Sequence, residues 1–286
     1  MSHFTVLVIG EDAEGQLAPY DEAIQTVPYN EGEVSESEKT IFMEHYIDKD
    51  ESLKDKTFDE LYVLHGNDWN DNAWKLIRGE WCEFSTYNSD SKWDWYSLGG
   101  RWSGFFKAKV GVEPVIGRPG VFNNKVEDGY SDEILKGDVD FEFMERRAIK
   151  KATERYDKVY PLIKDTPINR TWEDIISDDT IGDMETKRIF YGEQPRVKAF
   201  KESGIGHSAN IEPYNASREE YIKKESACPY GTFAMVKDGI WMEKGEMDWW
   251  GMSKNEMAQD KWDAQLMEVI KELPDDTMLS LYDCHI

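Results

Sequence analysis

Cysteine is scarce in this sequence: Cys82, Cys228 and Cys284 lie far apart in a chain of 286 residues. An odd, widely spaced set forms no disulfide framework and points to a reducing compartment. Cations are also few. Lys and Arg total 34 against 58 Asp and Glu, a formal net charge of −24 with neutral histidines. Binding nucleic acid or anionic lipid by neutralising phosphates needs the opposite balance. No apolar run approaches the roughly 18 residues of a membrane span. Residues 1–10 (MSHFTVLVIG) carry too short an apolar run, and no basic flank, for a signal peptide. No C-x-x-C or H-x-x-x-H pair offers metal-ligand spacing, and no glycine cluster matches a Walker or dinucleotide fingerprint. These absences predict a cytoplasmic protein with no direct nucleic-acid or membrane contact, no metal and no cofactor.

What is present is a folded, acidic protein. Hydrophobic residues make up 40% and aromatics 13%, with 11 Trp, a content that disordered acidic tails lack. Residues 4–9 read as a buried strand closed by Gly10. Residues 11–60 hold 16 Asp or Glu against 4 Lys, half of the net charge. Within them Ser35 with Glu38, and Thr57 with Glu60, match capping boxes, which predicts two short helices joined by a charged link. Residues 81–109 are dense in aromatics. Trp93 and Trp95 alternate with polar neighbours, and Gly99-Gly100 breaks the run. Two strands around a glycine turn are expected here, on the sheet of residues 4–9. Residues 114–129 read as a loop.

Met144, Ala148, Ala152 and Tyr156 fall four apart, so a helix starts near Phe141; Pro161 and Pro167 should end it. Residues 166–206 are polar and rich in turn formers, and 218–225 read as a short helix. Asp238-Gly239 is a strong hairpin signal. Ser253 with Glu256 again matches a capping box, ahead of a stripe of Ala258, Trp262, Leu266, Val269, Ile270 and Leu273 that stops at Pro274. Residues 278–282 form a last strand. The elements alternate without a βαβ rhythm. The expectation is an α+β fold: a mixed or antiparallel sheet that includes both terminal strands, flanked by helices, with an irregular inserted subdomain. Residues 1–165 and 227–286 make the main domain, and 166–226 the insertion or arm.

Chemistry is thinly marked. No cysteine has a local histidine signature, so each reads as a small buried hydrophobe and no catalytic residue is assigned. Asp138 and Asp140 would share a strand face and could hold Mg²⁺ with a third acid; the plainer reading is the polar start of a helix. Gly99-Gly100-Arg101-Trp102 could offer backbone N–H groups and a guanidinium to an anion. The plainer reading there is a glycine turn, with Arg101 stacked on a Trp and paired to a carboxylate. Trp249 and Trp250 are adjacent, so in an extended segment one of them is exposed as an interface anchor or packs on the opposite side. The expected partner-contact residues are Trp93, Trp95, Arg101, Trp102, Trp249 and Trp250, with Glu31, Glu33, Glu36 and Glu38 as the acidic component. Excess charge is often only a solvated face. Here it could also face a basic, DNA-handling partner.

Several strings together carry a resemblance: MSHFTVLVIG at 1–10, QLAPY at 16–20, SKWDWY at 91–96, GGRW at 99–102, KGDVD at 136–140, KGEM at 244–247, WWG at 249–251, and LPDDT to DCHI over 273–286. They are scattered over the whole chain and resemble a family of phage- and prophage-encoded proteins, most without an assigned function. Residues 21–72 and 166–226 match least. Within that setting the chain is similar to phage inhibitors of the Gabija defence nuclease complex. The resemblance implies a non-enzymatic, homo-oligomeric protein of the host cytoplasm. Such a protein binds a bacterial defence complex and stops it binding and cutting DNA. The alternatives are a phage enzyme acting on a nucleotide or a protein, through Arg101 with Asp138 and Asp140, or an accessory phage protein.

Overall fold

A computed structural model describes residues 2–119, 125–205, 211–247 and 252–286. The chain divides into two compact units. One holds residues 1–17 and 95–286, the other residues 18–94.

The first unit is built on a mixed sheet. Its strands are β1 (His3–Ile9), β5 (Trp95–Gly100), β7 (Arg118–Pro119), β9 (Glu133–Leu135), β10 (Ala234–Lys237), β11 (Ile240–Glu243) and β14 (Met278–His285). The order is β11-β10-β1-β14-β5-β7, and β9 also pairs with β14. The terminal strands therefore share the sheet, as expected, and are direct antiparallel neighbours from His3↔His285 to Ile9↔Leu279. β10 runs parallel to β1, and the β10–β11 hairpin turns at Asp238 (φ 55°) and Gly239 (φ 73°). Positive φ at both central residues is the type I′ geometry that Asp-Gly favours.

Helix α9 (Gln259–Glu272) lays Trp262, Leu266 and Ile270 on one sheet face, against Leu7, Ile9, Met235, Leu279 and Leu281. The Trp262 indole donates to the Thr232 carbonyl at 2.6 Å, so its buried N–H is satisfied. The short helix α1 (Ala13–Leu17) follows β1. Of the two strands expected around the glycine turn, only β5 joins this sheet. The second, β6 (Phe106–Lys107), pairs instead with β8 (Tyr130–Ser131) in a separate ladder.

The long helix α4 (Phe141–Ile163) has 23 residues and joins two clusters. Met144, near its start, lies in the sheet core. Ala152, Tyr156, Val159 and Ile163 belong to a second core with α5 (Trp172–Ile176), α6 (Met184–Glu193), α7 (Pro195–Glu202) and α8 (Arg218–Glu225). Two expectations change here. Pro161 does not end α4 but sits in its last turn. Within the stretch expected to be irregular, residues 166–205 are largely helical, and Ile175, Tyr191, Val197 and Phe200 pack with the α4 residues. Ser253 and Glu256 start no helix. Ser253 lies in β13 (Ser253–Lys254), paired with β12 (Glu246–Met247), and α9 begins only at Gln259.

The second unit carries α2 (Glu36–Lys49) and α3 (Phe58–Asn70) with a three-stranded antiparallel sheet, order β2 (Tyr29–Glu33), β4 (Glu80–Ser85), β3 (Trp74–Ile77). Both helices open with the expected capping boxes, Ser35/Glu38 and Thr57/Glu60. Phe42 is the hub of its core, with ring centroids 5.4 Å from Trp69, 5.5 Å from Phe58 and Tyr62 and 6.0 Å from Trp74. The β3–β4 hairpin turns at Arg78 and Gly79, both at positive φ.

Candidate functional site

The glycine pair is the strongest local feature of the sequence, and the fold gives it a structural role. Gly99 (φ +69°) and Gly100 (φ +48°) end β5 in the left-handed region. A Cβ on Gly99 would lie 2.1 Å from Asp132 Oδ2, and one on Gly100 would lie 2.4 Å from Asp283 Oδ2. No residue larger than glycine fits such an approach. Both carboxylates are buried, at 0% and 1% exposure. Asp132 accepts from the Gly104 N–H at 2.5 Å, the Ser103 hydroxyl at 2.7 Å and the Gly117 N–H at 2.9 Å. Asp283 accepts from the Arg101 N–H at 2.8 Å and meets His3 Nδ1 at 2.7 Å. The backbone donors that could have held an external anion hold two internal carboxylates.

Beside Asp283, which His3 contacts, register gathers residues that are distant in sequence. His3 stands opposite His285, and His285 opposite Trp95. The Trp95 ring stacks on His285 at 5.2 Å with planes 18° apart, and the two histidine rings meet edge to face at 4.8 Å. Sequence spacing alone does not show this cluster, because its members are brought together only by strand pairing. Cys284 falls on the opposite face, as strand alternation requires. Among the described residues, no group of three His, Cys, Asp or Glu side chains is placed to hold a metal ion.

The remaining sequence candidates resolve differently. Asp140 caps α4, accepting from the Phe143 N–H at 2.9 Å, and Asp138 lies in a 3₁₀ turn, so the shared strand face is not formed. Burial pushes the Cys228 thiol up to about 12, with the Asp263 charge adding to it, and raises the fully buried Cys284 thiol as well. Burial thus disfavours the thiolate form on which a cysteine nucleophile depends.

The expected contact residues are split between the units. In residues 18–94, Trp93 is buried at 6% exposure and cannot serve as a surface anchor. Glu31 and Glu33 on β2, and Glu36 and Glu38 in the first turn of α2, are all exposed. The Ser35 hydroxyl and N–H hold the Glu38 carboxyl below its ordinary range. In the first unit, Trp95 is 43% exposed and Trp102 36%. Arg101 is half-buried beside Asp283. Trp249 and Trp250 lie outside the described residues.

Residues 18–94 carry 19 Asp or Glu against 7 Lys or Arg. Exposed among them are Ile41, Val63, Leu64, Leu76 and Ile77. No helix among the described residues is long and apolar enough to cross a membrane. Comparison with models of protein families, with characterised proteins and with solved structures gives no match to this chain.

Proposed function

We propose that the protein acts by binding another protein, with residues 18–94 as its main contact surface. The observation that carries this reading is their composition as folded: 19 acidic residues against 7 basic, with apolar side chains such as Val63 and Leu64 left in water. Carboxylates around exposed apolar side chains suit a partner that is basic and has its own apolar contacts. The occupied Gly99-Gly100 cradle supports the same reading, because it removes the anion site on which a catalytic role would rest. The resemblance to phage inhibitors of the Gabija nuclease complex supplies the partner class, a bacterial defence complex that handles DNA. On this reading the protein works as a homo-oligomer in the host cytoplasm, without catalysis and without touching DNA itself.

Stoichiometry tests this directly. Titrated against a purified defence nuclease complex, the protein should stop cleavage only when its concentration matches that of the complex. Full inhibition at one protein per hundred complexes would assign an enzyme instead. Capture from a host carrying several defence systems identifies the complex to use.

Salt and charge give a second expected result. Raising ionic strength well past 0.15 M, where the Debye length is about 8 Å, should slow association while changing dissociation little. Replacing Glu31, Glu33, Glu36 and Glu38 by Gln should slow association about tenfold. The fold should survive, because Gln closes a capping box as Glu does. An association rate indifferent to both changes would leave the acidity as a solubility device.

The doubly substituted Asp138→Ala, Asp140→Ala protein should still inhibit. It should lose about 1 kcal/mol of stability through the missing α4 cap, read by urea denaturation. Normal folding with complete loss of inhibition would instead favour a catalytic role for the pair.

A further inference from the structure

In a chain of net charge −24, the start of α4 is locally cationic: Arg146, Arg147, Lys150 and Lys151 fall within six positions. The ordinary role of such a cluster is to pair with nearby carboxylates. Arg146 does so with Glu142 at 3.2 Å, and Lys150 with Glu154 at 3.8 Å. Arg147 forms two bonds to Glu127, at 2.5 and 2.6 Å, and donates to the Tyr130 hydroxyl. Lys151 stands one turn from Arg147 on the same helix face. Lys151 adds to the charge that holds the Glu127 carboxyl below its ordinary range, and among the described residues neither it nor Lys125 forms an ion pair.

Arg147 and Lys151, with Lys125, line a cavity of about 320 Å³ together with the Glu127 carboxylate and the apolar Trp102, Phe105 and Met144. Part of the lining is fixed before any ligand arrives. Asp132 holds Ser103 and Gly104 beside Trp102, and Glu127 with Tyr130 fixes the Arg147 guanidinium. A rigid site gains affinity because little side-chain ordering is left to occur on binding. Positive charge and exposed indole surface in one cavity suit a ligand with an anionic end and a flat ring. The volume lies at the small end of the range for ligand sites, about 300–1,000 Å³.

We propose that this cavity is a binding site for a nucleoside phosphate, with the phosphate on Lys125 and Lys151 and the base against Trp102. The site lies in the first unit and is independent of the protein-binding role proposed for residues 18–94.

Calorimetric titration of the whole chain with nucleoside diphosphates, inorganic phosphate and adenosine tests it. A diphosphate should bind with a dissociation constant of about 0.1 mM or tighter. Phosphate alone and adenosine alone should each bind at least about tenfold more weakly, since each meets one wall only. Lys151→Glu and Trp102→Ala should each weaken the diphosphate about tenfold, and Lys125→Glu, on a different segment, should do the same. Lys223→Glu, an equal charge change on α8 away from the cavity lining, should leave binding unchanged. Circular dichroism checks that each variant is folded. No saturable binding of any diphosphate up to about 5 mM overturns the proposal. So does equal weakening by Lys223→Glu, which would show a diffuse charge effect. Tighter binding of a short single-stranded oligonucleotide than of every mononucleotide would assign the surface to nucleic acid and overturn it too.

Discussion

A chain ending at Met278 should not fold. The eight residues removed, 279–286, supply most of β14, which pairs with β1 on one edge and with β9 and β5 on the other. Every residue from Leu279 to His285 is buried. Leu279, Leu281 and Tyr282 alone give up about 1.5–3 kcal/mol each in lost burial. Their loss approaches the whole stability of a typical domain, about 5–15 kcal/mol. The truncation also leaves β1 with an unpaired edge, a template for aggregation. The expected outcome is insoluble protein on expression. A soluble truncated chain with the circular dichroism of the intact protein would show that β14 is dispensable.

Asp132→Ala should be the most damaging single substitution at the glycine loop. It strands three part-buried donors, the Gly104 and Gly117 N–H groups and the Ser103 hydroxyl. A buried donor without a partner costs about 1–3 kcal/mol, so a loss of about 3–5 kcal/mol is expected. Ser103→Ala removes one donor together with its need for a partner, and should cost about 1 kcal/mol. Chemical denaturation of the two variants separates the cases. Equal losses would mean that the carboxylate is not the organiser of the loop. The cavity lined by Trp102 should loosen in step with Asp132→Ala, since the same carboxylate fixes its wall.

Where the sequence was readable, a local rule and the tertiary fold agreed. The capping boxes at Ser35 and Thr57, the Asp238-Gly239 hairpin and the apolar stripe of α9 need no distant partner to be recognised. Ser253 and Glu256 show the opposite case. Their side chains do hydrogen-bond, as in a capping box, yet pairing of Ser253 with Met247 holds the segment extended. Residues 166–206 misled through their polarity, because part of that polarity is internal. Lys187 is buried and donates to the Ile176 carbonyl at 2.7 Å, while Arg196 is buried against Thr166, Tyr214 and Asn215. Composition treats such residues as solvated, and only the fold shows them satisfied.

The glycine loop was visible as a motif, but its meaning was not. Asp132 and Asp283 reach Gly99 and Gly100 from far along the chain, through pairings that no spacing rule encodes. The same holds for His3, Trp95 and His285. The cations of α4 lie within six positions of the sequence, whereas Trp102 and Phe105, which line the same cavity, come from another segment.

The neighbouring of β1 and β14 has a consequence for the order of events during synthesis. β1 is made well before β14, and they are paired along their whole length, with Ser2 and Ile286 exchanging backbone hydrogen bonds at 3.0 and 3.1 Å. At about 5–20 residues per second, roughly 270 residues of translation separate the two strands, a wait of about 14–54 s. For that time Val6, Leu7 and Val8, all fully buried in the finished protein, lack their central partner. The residues made next, 11–60, carry 16 acidic side chains against 4 Lys, so the growing chain repels copies of itself while its sheet stays open. The charge that dresses the finished surface thus also guards the unfinished one, until translation of β14 closes the sheet.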